Sequence, residues 1–369
     1  MLQEKYMQQA IEMAAIAKGV TSPNPTVGAV IVQSGNVVSA ATHLRAGEAH
    51  AEVRAIEMAG TQTQGSTLYV TLEPCSHYGK TPPCVKRIIE AGIKQVYIAM
   101  QDPNPLVAGR GIALLREAGI GVEVGLLAEE ARLLNEDWSK YITTGLPYVT
   151  VKTAMTLDGK IATRTGQSKW ITGDTARAKV QRLRHISDAI MVGVGTVLAD
   201  DPSLTTRGIE GGRNPIRVII DSKLETPLTA KVVTDGEAPT WIFTEAMDAE
   251  SQQGDPKISQ LTEMGVEVFQ FRGGNLIEVL KQLAEHNITS VLLEGGSELI
   301  GSFFDQRLID KYIVFIAPKL IGGREAKTSV GGLGIADINL ALEIADLSIE
   351  QYGNDICISG YPKWSQKAN

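Results

Sequence analysis

The chain has 369 residues, 43% of them hydrophobic, and a formal net charge of −7. This length and apolar content predict two domains with separate cores. The acidic balance argues against a broad surface for nucleic acid, although a small basic pocket for one phosphate is compatible with it. The N-terminus lacks a basic start followed by an apolar core, and the longest apolar run, 189–199, is shorter than the roughly 20 residues of a membrane helix. We therefore expect a cytoplasmic protein that binds neither nucleic acid nor membranes.

The first elements in chain order predict a sheet with helices on both faces. Apolar residues recur at helical spacing over 2–18, and Gly19 ends that helix. The turn at 34–36 lies between two β-type runs, which indicates a hairpin. The expected strands are 27–33, 37–42, 67–72 and 95–100, and the expected helices are 51–59, 84–91 and 128–141.

A second α/β domain is expected after Gly145, where glycine and proline interrupt the helical pattern. We place the two domains at 1–145 and 146–369. The expected strands of the second domain are 148–153, 189–193, 216–221, 241–244, 290–293 and 311–317, and its expected helices are 175–186 and 276–286. Cys357 lies in the apolar run D-I-C-I-S and is expected to pack inside a further strand.

The strongest chemical signal is a histidine and two cysteines with the spacing of a zinc site. His50 and Glu52 lie in H-A-E-V, and Cys75 and Cys84 lie in E-P-C-S-H-Y-G-K-T-P-P-C. Three such ligands leave the fourth position of tetrahedral zinc for water, which is the arrangement of a catalytic site. A helix beginning near Cys84 would favour the thiolate that binds zinc. Glu52 is expected to carry protons without binding the metal, as in zinc deaminases with H-x-E followed by P-C and a second cysteine.

An alternative for this motif stays open. Eight residues, 76–83, separate the two cysteines, whereas the usual zinc-deaminase spacing is P-C-x-x-C. His77 lies in this segment and could close the site as a fourth ligand, which would make the zinc structural. On that alternative the chain is a non-enzymatic scaffold.

Two glycine motifs in the second half bear on cofactor binding. V-G-V-G-T-V-L at 192–198 supplies G-x-G after a strand, but Leu198 occupies the place of the third glycine, so we reject a standard Rossmann site. L-L-E-G-G-S-E-L-I-G at 292–301 reads as a strand that ends in two glycines and enters a helix. The N–H groups of such a helix start can hold a pyrophosphate, or the segment is only a tight turn.

Several motifs together resemble those of the bifunctional riboflavin-biosynthesis deaminase/reductases. They span nearly the whole chain: P-N-P-T-V-G (23–28), H-A-E-V (50–53), T-L-E-P-C-S-H-Y-G-K-T-P-P-C (71–84), Q-D-P-N-P (101–105), T-L-D-G-K (156–160), G-V-G-T-V-L-A-D-D-P-S-L-T-T-R (193–207), L-L-E-G-G and A-P-K-L-I-G-G. The long segment between the cysteines is a feature of this family. The resemblance implies an N-terminal α/β/α sandwich similar to cytidine deaminases and a C-terminal α/β domain similar to dihydrofolate reductase.

The resemblance also implies the reactions. The first domain, with one Zn²⁺ per site, would hydrolytically deaminate 2,5-diamino-6-ribosylamino-4(3H)-pyrimidinone 5′-phosphate. The second would use NADPH to reduce the ribosyl group to ribityl, giving 5-amino-6-ribitylamino-uracil phosphate. The family further implies a homo-oligomer. The runner-up is a tRNA or other nucleic-acid deaminase with a C-terminal binding module, but it predicts a basic surface and stacking aromatics, and aromatic residues are only 5% of the chain.

Site residues beyond the zinc motif follow from the resemblance. The implied substrate-binding residues are Asn24, His43, His77, Lys80, Asp102 and Asn104 in the first domain, and Lys152, Ser168, Arg184, Leu204, Arg207 and Glu294 in the second. The implied cofactor-binding residues are Ala154, Ile161, Trp170, Thr196, Asp200, Ser222, Gly296, Ser297, Glu298, Leu299, Ile300, Gly301 and Ser302. His77 and Lys80 suit a phosphate dianion, which gives His77 a role other than metal binding. The planar guanidinium groups of Arg184 and Arg207 suit a phosphate as well.

Overall fold

The computed structural model describes residues 2–76, 82–105, 107–246 and 256–364. The chain divides into two compact units, Met1–Leu146 and Pro147–Asn369. The division falls beside the glycine and proline that interrupt the helical pattern. Two of the expected site residues, His77 and Lys80, lie outside the described residues.

The first unit is a five-stranded sheet between helices. Its strands are β1 (Gly28–Gln33), β2 (Asn36–Thr42), β3 (Thr67–Leu72), β4 (Gln95–Met100) and β5 (Gly121–Val124), in the order β2-β1-β3-β4-β5. Its helices are α1 (Leu2–Ile16), α2 (Ala51–Ala59), α3 (Cys84–Glu90), α4 (Arg110–Glu117), α5 (Ala128–Leu134) and α6 (Glu136–Thr144), with a 3-10 turn at Gly60–Thr63. Strand β1 pairs antiparallel with β2 and β3, and β3, β4 and β5 run parallel.

Alternate residues of β1 face two different cores. Ala29 and Ile31 pack in a cluster with side chains of α2 and α3, whereas Val30 and Val32 pack in a cluster with side chains of α1 and α5. Successive side chains of a strand point to opposite faces of its sheet, so both faces of this sheet are buried under helices. The α/β/α sandwich expected for this unit is confirmed.

The expected single helix over 128–141 is wrong, because the structure divides it at Asn135. Helix α5 ends at Leu134 and α6 begins at Glu136. The buried Asn135 side chain accepts a hydrogen bond from the N–H of Thr26 at 2.8 Å and donates one to the carbonyl of Thr26 at 2.9 Å. These bonds leave Asn135 with a φ of −115°, outside helical geometry.

The second unit contains a nine-stranded sheet. Its strands are β6 (Tyr148–Thr156), β7 (Ala189–Gly193), β8 (Ile216–Ile220), β9 (Thr240–Glu245), β10 (Val266–Phe271), β11 (Ser290–Glu294), β12 (Lys311–Ala317), β13 (Ile344–Tyr352) and β14 (Asp355–Pro362). Its helices are α7 (Asp174–Ile186), α8 (Val194–Asp200), α9 (Lys231–Thr234), α10 (Pro256–Glu263), α11 (Leu276–Glu285) and α12 (Ser297–Asp305), with a 3-10 turn at Ile338–Leu340. The strand order is β10-β9-β8-β7-β11-β6-β12-β14-β13.

The order of the strands brings distant parts of the chain together at the carboxyl ends of the central strands. The seven strands from β10 to β12 run parallel, and β14 and β13 complete the sheet antiparallel. Strand β11 lies between β7 and β6, so the carboxyl ends of these three strands are neighbours, where α/β sheets bind their ligands. Cys357 on β14 is 3% exposed and lies opposite Phe315 on β12, as expected for a packed strand residue.

Among the described residues, none of the helices combines the length and apolar character needed to cross a bilayer.

Candidate active sites

The three zinc-type side chains of the first unit converge from three different elements. His50 is the residue before α2, Cys75 follows β3, and Cys84 is the first residue of α3. The backbone N–H of Cys84 donates to the sulfur of Cys75 at 3.3 Å, and the N–H of Val85 donates to the carbonyl of Cys75. The start of α3 is therefore fixed against the end of β3, and the long segment between the cysteines does not separate them.

The donor atoms have the spacing of a zinc site. Bonds of about 2.0 Å to nitrogen and 2.3 Å to sulfur in a tetrahedron place neighbouring nitrogen and sulfur ligands about 3.5 Å apart. His50 Nδ1 lies 3.2 Å from Cys84 Sγ and 3.6 Å from Cys75 Sγ, and the three ligand atoms all lie within 4.8 Å of one another. The residues present therefore fit zinc.

The electrostatics of the two thiols also favour a cation. The hydrogen bond with Cys84 lowers the pKa of Cys75 to about 4, and the same interaction raises the pKa of Cys84. Two thiols this close hold one negative charge between them without a metal, whereas a bound cation deprotonates a coordinating thiol outright.

Glu52 lies in the first turn of α2, two residues after His50, and its carboxyl group is buried close to the ligands Cys75 and Cys84. It is 3% exposed, and burial followed by the charge of Cys75 raises its pKa. Raising the pKa of a carboxyl group makes it a stronger base, which suits a residue that takes up a proton and passes it on.

Asn24 and His43 meet next to the zinc ligands. Asn24 Nδ2 lies 3.1 Å from His43 Nε2, and His43 Nδ1 lies 3.3 Å from the carbonyl of Ala49. If Nδ1 donates to that carbonyl, then Nε2 accepts from the amide, so both contacts fit one neutral tautomer. Burial lowers the pKa of His43, which is consistent with the neutral form, and its ring lies 5.3 Å from that of His50.

Sequence reasoning gave no role to Glu73, which the structure shows to be a buried anchor. Glu73 is 4% exposed and lies two residues before Cys75. Its carboxylate accepts hydrogen bonds from four backbone N–H groups, those of Asp102, Gly109, Gly111 and Ile112. Of the expected substrate residues, Asp102 and Asn104 lie on this same segment, where the N–H of Asn104 donates to Asp102 Oδ1 at 2.8 Å.

Three expected substrate residues of the second unit form one charged cluster. Glu294 ends β11 and pairs in register with Lys152 on β6. Arg184 on α7 donates through Nε and Nη2 to the two oxygens of Glu294 at 2.8 and 3.0 Å, and Lys152 Nζ lies 3.4 Å from Glu294 Oε2. Burial alone would raise the pKa of Glu294, but Arg184 and Lys152 outweigh it and lower the pKa to about 2. The cluster thus carries two positive charges and one negative charge.

The two arginines expected to bind phosphate differ in their surroundings. The guanidinium of Arg184 is committed to Glu294, and its Nη1 donates to the carbonyl of Thr205 at 3.0 Å. Leu204, beside Thr205, is buried with a φ of +53°. Arg207 is exposed, and its backbone N–H donates a hydrogen bond to the side-chain oxygen of Gln181 at 2.9 Å.

The cofactor residues expected from the resemblance gather around two turns. The turn after β7 starts α8, and the turn after β11 starts α12. A Cβ on Gly295 or Gly296 would lie 3.4 Å from Thr196 Oγ1, so the two turns lie side by side. Both glycines have φ near +75°, which side chains rarely adopt. In the part of the chain that the structure describes, neither helix start receives a side-chain cap, so its N–H groups fit a phosphate of the cofactor.

The remaining expected cofactor positions lie on several elements of the second unit. Within α12, Leu299, Ile300 and Gly301 are buried, whereas Glu298 and Ser302 are exposed. Ser168 Oγ donates to Asp200 Oδ1 at 3.2 Å, which joins one expected substrate position to one expected cofactor position. The other positions are the 60%-exposed Trp170, Ala154 on β6, Ile161 in the loop after β6, Ser222 after β8, and the buried Ser297 at the start of α12.

The fold and the two sites define a class of protein: a two-domain enzyme with a zinc site for hydrolysis in one α/β unit and a nucleotide-cofactor site in the other. Comparison with known proteins supports this division. Residues 1–100 match the cytidine and deoxycytidylate deaminase zinc-binding region, and residues 147–358 match the RibD C-terminal domain.

Similar proteins cover the whole chain. Riboflavin biosynthesis protein RibD of Bacillus amyloliquefaciens is 49% identical over 98% of this chain and 97% of its own length, and that of Escherichia coli (strain K12) is 40% identical over 97% and 99%. The structure of Acinetobacter baumannii RibD, form 1, matches with a TM-score of 0.88 and 39% identity over 98% of this chain and 99% of that chain. A diaminohydroxyphosphoribosylaminopyrimidine deaminase/5-amino-6-(5-phosphoribosylamino)uracil reductase from Thermotoga maritima matches with a TM-score of 0.85 and 38% identity over the same shares.

The chain belongs to the RibD family of riboflavin-biosynthesis proteins. It therefore joins a zinc-dependent deaminase domain to a reductase domain whose cofactor is NADPH.

Proposed function

We propose that the first unit deaminates 2,5-diamino-6-ribosylamino-4(3H)-pyrimidinone 5′-phosphate and that the second reduces the ribosyl group of the product to ribityl, giving 5-amino-6-ribitylamino-uracil phosphate. The observation that carries the proposal is the buried Glu52 beside His50, Cys75 and Cys84. Burying a carboxyl group costs free energy, and a structural zinc site does not require one. Hydrolysis of an amine, in contrast, needs a group that carries protons.

Each residue of the deaminase site has a definite task in this proposal. His50, Cys75 and Cys84 would hold zinc, which when bound would supply Lewis-acid activation of a water molecule. The Glu52 carboxylate would take a proton from the attacking water and deliver it to the nitrogen of the amine, which leaves as ammonia. Asn24 and His43 hold polar groups of the pyrimidine, since they present an amide and a neutral imidazole beside the ligands. His77 and Lys80 are proposed for the phosphate, following the family resemblance.

In the reductase site, the basic residues Lys152, Arg184 and Arg207 bind the phosphorylated sugar. The starts of α8 and α12 would hold NADPH, which when bound would supply the hydride. Glu294, at the carboxyl end of β11, holds Lys152 in the middle of β6 and Arg184 on α7. Of the two arginines, we assign the phosphate mainly to Arg207, because its guanidinium is exposed while that of Arg184 is paired with Glu294.

The partners and location follow the same proposal. The net charge of −7 supports a small-molecule substrate without a nucleic-acid partner. All three cysteines are free thiols, which supports a reducing compartment such as the cytoplasm. A homo-oligomer is supported by exposed apolar side chains before and within the edge strand β13, including Leu333, Ile338 and Ile349.

Two rate assays test the proposal directly. Zinc-loaded chain should release ammonia from the diaminopyrimidinone phosphate, and a chelator should stop the release. The deaminated product should then cause NADPH to be oxidised, with NADH as the matched control. Ammonia release that survives complete zinc removal would refute the deaminase assignment, and tight binding of bulk tRNA at moderate salt would favour the nucleic-acid deaminase instead.

A further inference from the structure

Glu73 connects the zinc side of the deaminase site to the segment that carries Asp102 and Asn104. Its Oε2 accepts from the N–H of Asp102 at 3.2 Å and of Gly109 at 3.0 Å. Its Oε1 accepts from the N–H of Gly111 at 2.9 Å and of Ile112 at 3.3 Å. One buried side chain thus fixes both ends of the segment 102–112.

The contacts reach beyond the ordinary capping of a helix. Gly111 and Ile112 belong to the first turn of α4, whose N–H groups lack partners within the helix. Their hydrogen bonds to Glu73 Oε1 are therefore ordinary helix capping. Asp102 lies eight residues before α4 and gains nothing from that cap. The bond to its N–H instead fixes the position from which the Asp102 carboxylate holds the N–H of Asn104.

Gly111, near the end of this segment, packs directly against the metal side of the site. A Cβ on Gly111 would lie 2.2 Å from the carbonyl oxygen of Pro74, so only glycine permits this approach. Pro74 separates Glu73 from the ligand Cys75, and the N–H of Glu73 itself donates to the carbonyl of Met100 at the end of β4. The position of Asp102 relative to Cys75 is therefore set by the hydrogen bond to Glu73 and by the two peptide bonds from Glu73 to Cys75.

We propose that Glu73 is a positioning residue of the deaminase site, which holds Asp102 and Asn104 at a fixed distance from the metal ligands and so governs the affinity for the pyrimidine ribosyl phosphate. The inference rests on the proposed function, because Asp102 and Asn104 matter to affinity only if they bind this substrate. Both carboxylate oxygens of Glu73 accept from backbone N–H groups, so we assign Glu73 no direct contact with substrate or metal. Its effect should therefore appear in KM and not in the zinc content.

The test is Glu73→Gln in the full zinc-loaded chain. Glutamine keeps the shape but presents an NH₂ group to two of the four N–H donors, so the segment loses part of its anchor. Loss of buried hydrogen bonds should raise KM for ammonia release about ten-fold while kcat stays within about three-fold. Zinc content and NADPH oxidation should not change. Hydrogen exchange of peptides covering 101–112 should accelerate, and exchange of β1 should not.

Three further variants keep the inference falsifiable. Gly111→Ala keeps the carboxylate but displaces the same segment, because its Cβ would lie 2.2 Å from the carbonyl oxygen of Pro74 and 3.2 Å from Glu73 Oε1. It should therefore raise KM as well, even if Glu73→Gln does not fold. Asp188→Asn removes a buried carboxylate that accepts from Thr289 and Ser290 in the reductase unit, and it should leave KM for deamination unchanged. In an Asp102→Ala background, Glu73→Gln should add little further loss, because both changes act through the same residue.

Contrary results are equally definite. An unchanged KM with a lower kcat, a loss of zinc, or fully additive effects with Asp102→Ala would overturn the role proposed for Glu73. A wild-type chain that releases no ammonia would instead overturn the proposed function. Exchange of the segment 101–112 would then still decide whether Glu73 orders it.

Discussion

Replacing Glu294 with glutamine tests the charge balance of the reductase site. The Glu294 carboxylate is 7% exposed and lies between the guanidinium of Arg184 and the ammonium of Lys152. Glutamine has nearly the same volume but carries no charge. The substitution therefore leaves two partly buried cations near the end of β11 without their counter-charge, and we expect it to destabilise the second unit.

The magnitude follows from the pKa of this carboxyl group. Burial alone would raise it, but Arg184 and Lys152 lower it from 4.5 to about 2. A carboxyl group whose pKa falls this far on folding stabilises the folded state by about 3 kcal/mol at neutral pH. Removal of one partner from a buried ion pair costs about 3–5 kcal/mol in other proteins, which agrees with this figure.

The sign of the pH dependence is also determined. Because folding lowers the pKa of Glu294, its stabilisation is complete above the ordinary value of 4.5 and is lost as the pH falls through about 2. Urea unfolding of wild type and Glu294→Gln, followed by far-UV circular dichroism, should give a constant difference from neutral pH down to about pH 5. The difference should shrink at lower pH.

Glu129→Gln is a matched control. Arg132 binds Glu129 with the same two-bond geometry, at 2.8 and 2.6 Å, but the pair is largely exposed to solvent. Exposed ion pairs contribute little, so this variant should lose at most a small fraction of the stability lost by Glu294→Gln. Equal losses in the two variants, or a Glu294→Gln difference that grows on acidification, would refute the reasoning.

Three other predictions concern the two activities. Glu52→Gln should retain zinc and lower kcat for ammonia release by about 10²–10⁴, as metal analysis and initial rates will show; a variant with normal turnover would remove Glu52 from the mechanism. Cys84→Ala should lose zinc and ammonia release together while NADPH oxidation with the deaminated substrate continues. Arg207→Ala should raise KM for that substrate about ten-fold and spare deamination, whereas the exposed Arg272→Ala should change neither rate.

The sequence predicted elements best where a local pattern had one explanation. Helix α2 and strands β3, β4, β7 and β12 have the expected bounds. Strands β5, β10 and β13 were not among the expected strands. Strand β5 has only four residues, and β13 is exposed along most of its length. Strand β10, V-E-V-F-Q-F, shows the alternation of a strand but is missing from the prediction. The break at Asn135 depends on a bond to Thr26, which is more than one hundred residues away and leaves no periodic signal.

The same distinction holds for the candidate sites. The zinc motif could be recognised because its ligands are few, chemically distinctive and fixed in spacing. The anchoring role of Glu73 could not, since its four donors come from backbone N–H groups that no sequence pattern marks. The role of Arg184 toward phosphate stays a prediction, and its pairing with Glu294 on a distant strand could not be read from the sequence.

Mass spectrometry of the diaminopyrimidinone ribosyl phosphate, incubated with zinc-loaded chain with and without NADPH, tests the central claim most directly. Two activities in one chain predict exchange of the amine for oxygen without NADPH, followed by the gain of two hydrogens when NADPH is added. No exchange in a zinc-replete sample would contradict the deaminase assignment, and exchange that is never followed by reduction would contradict the reductase assignment.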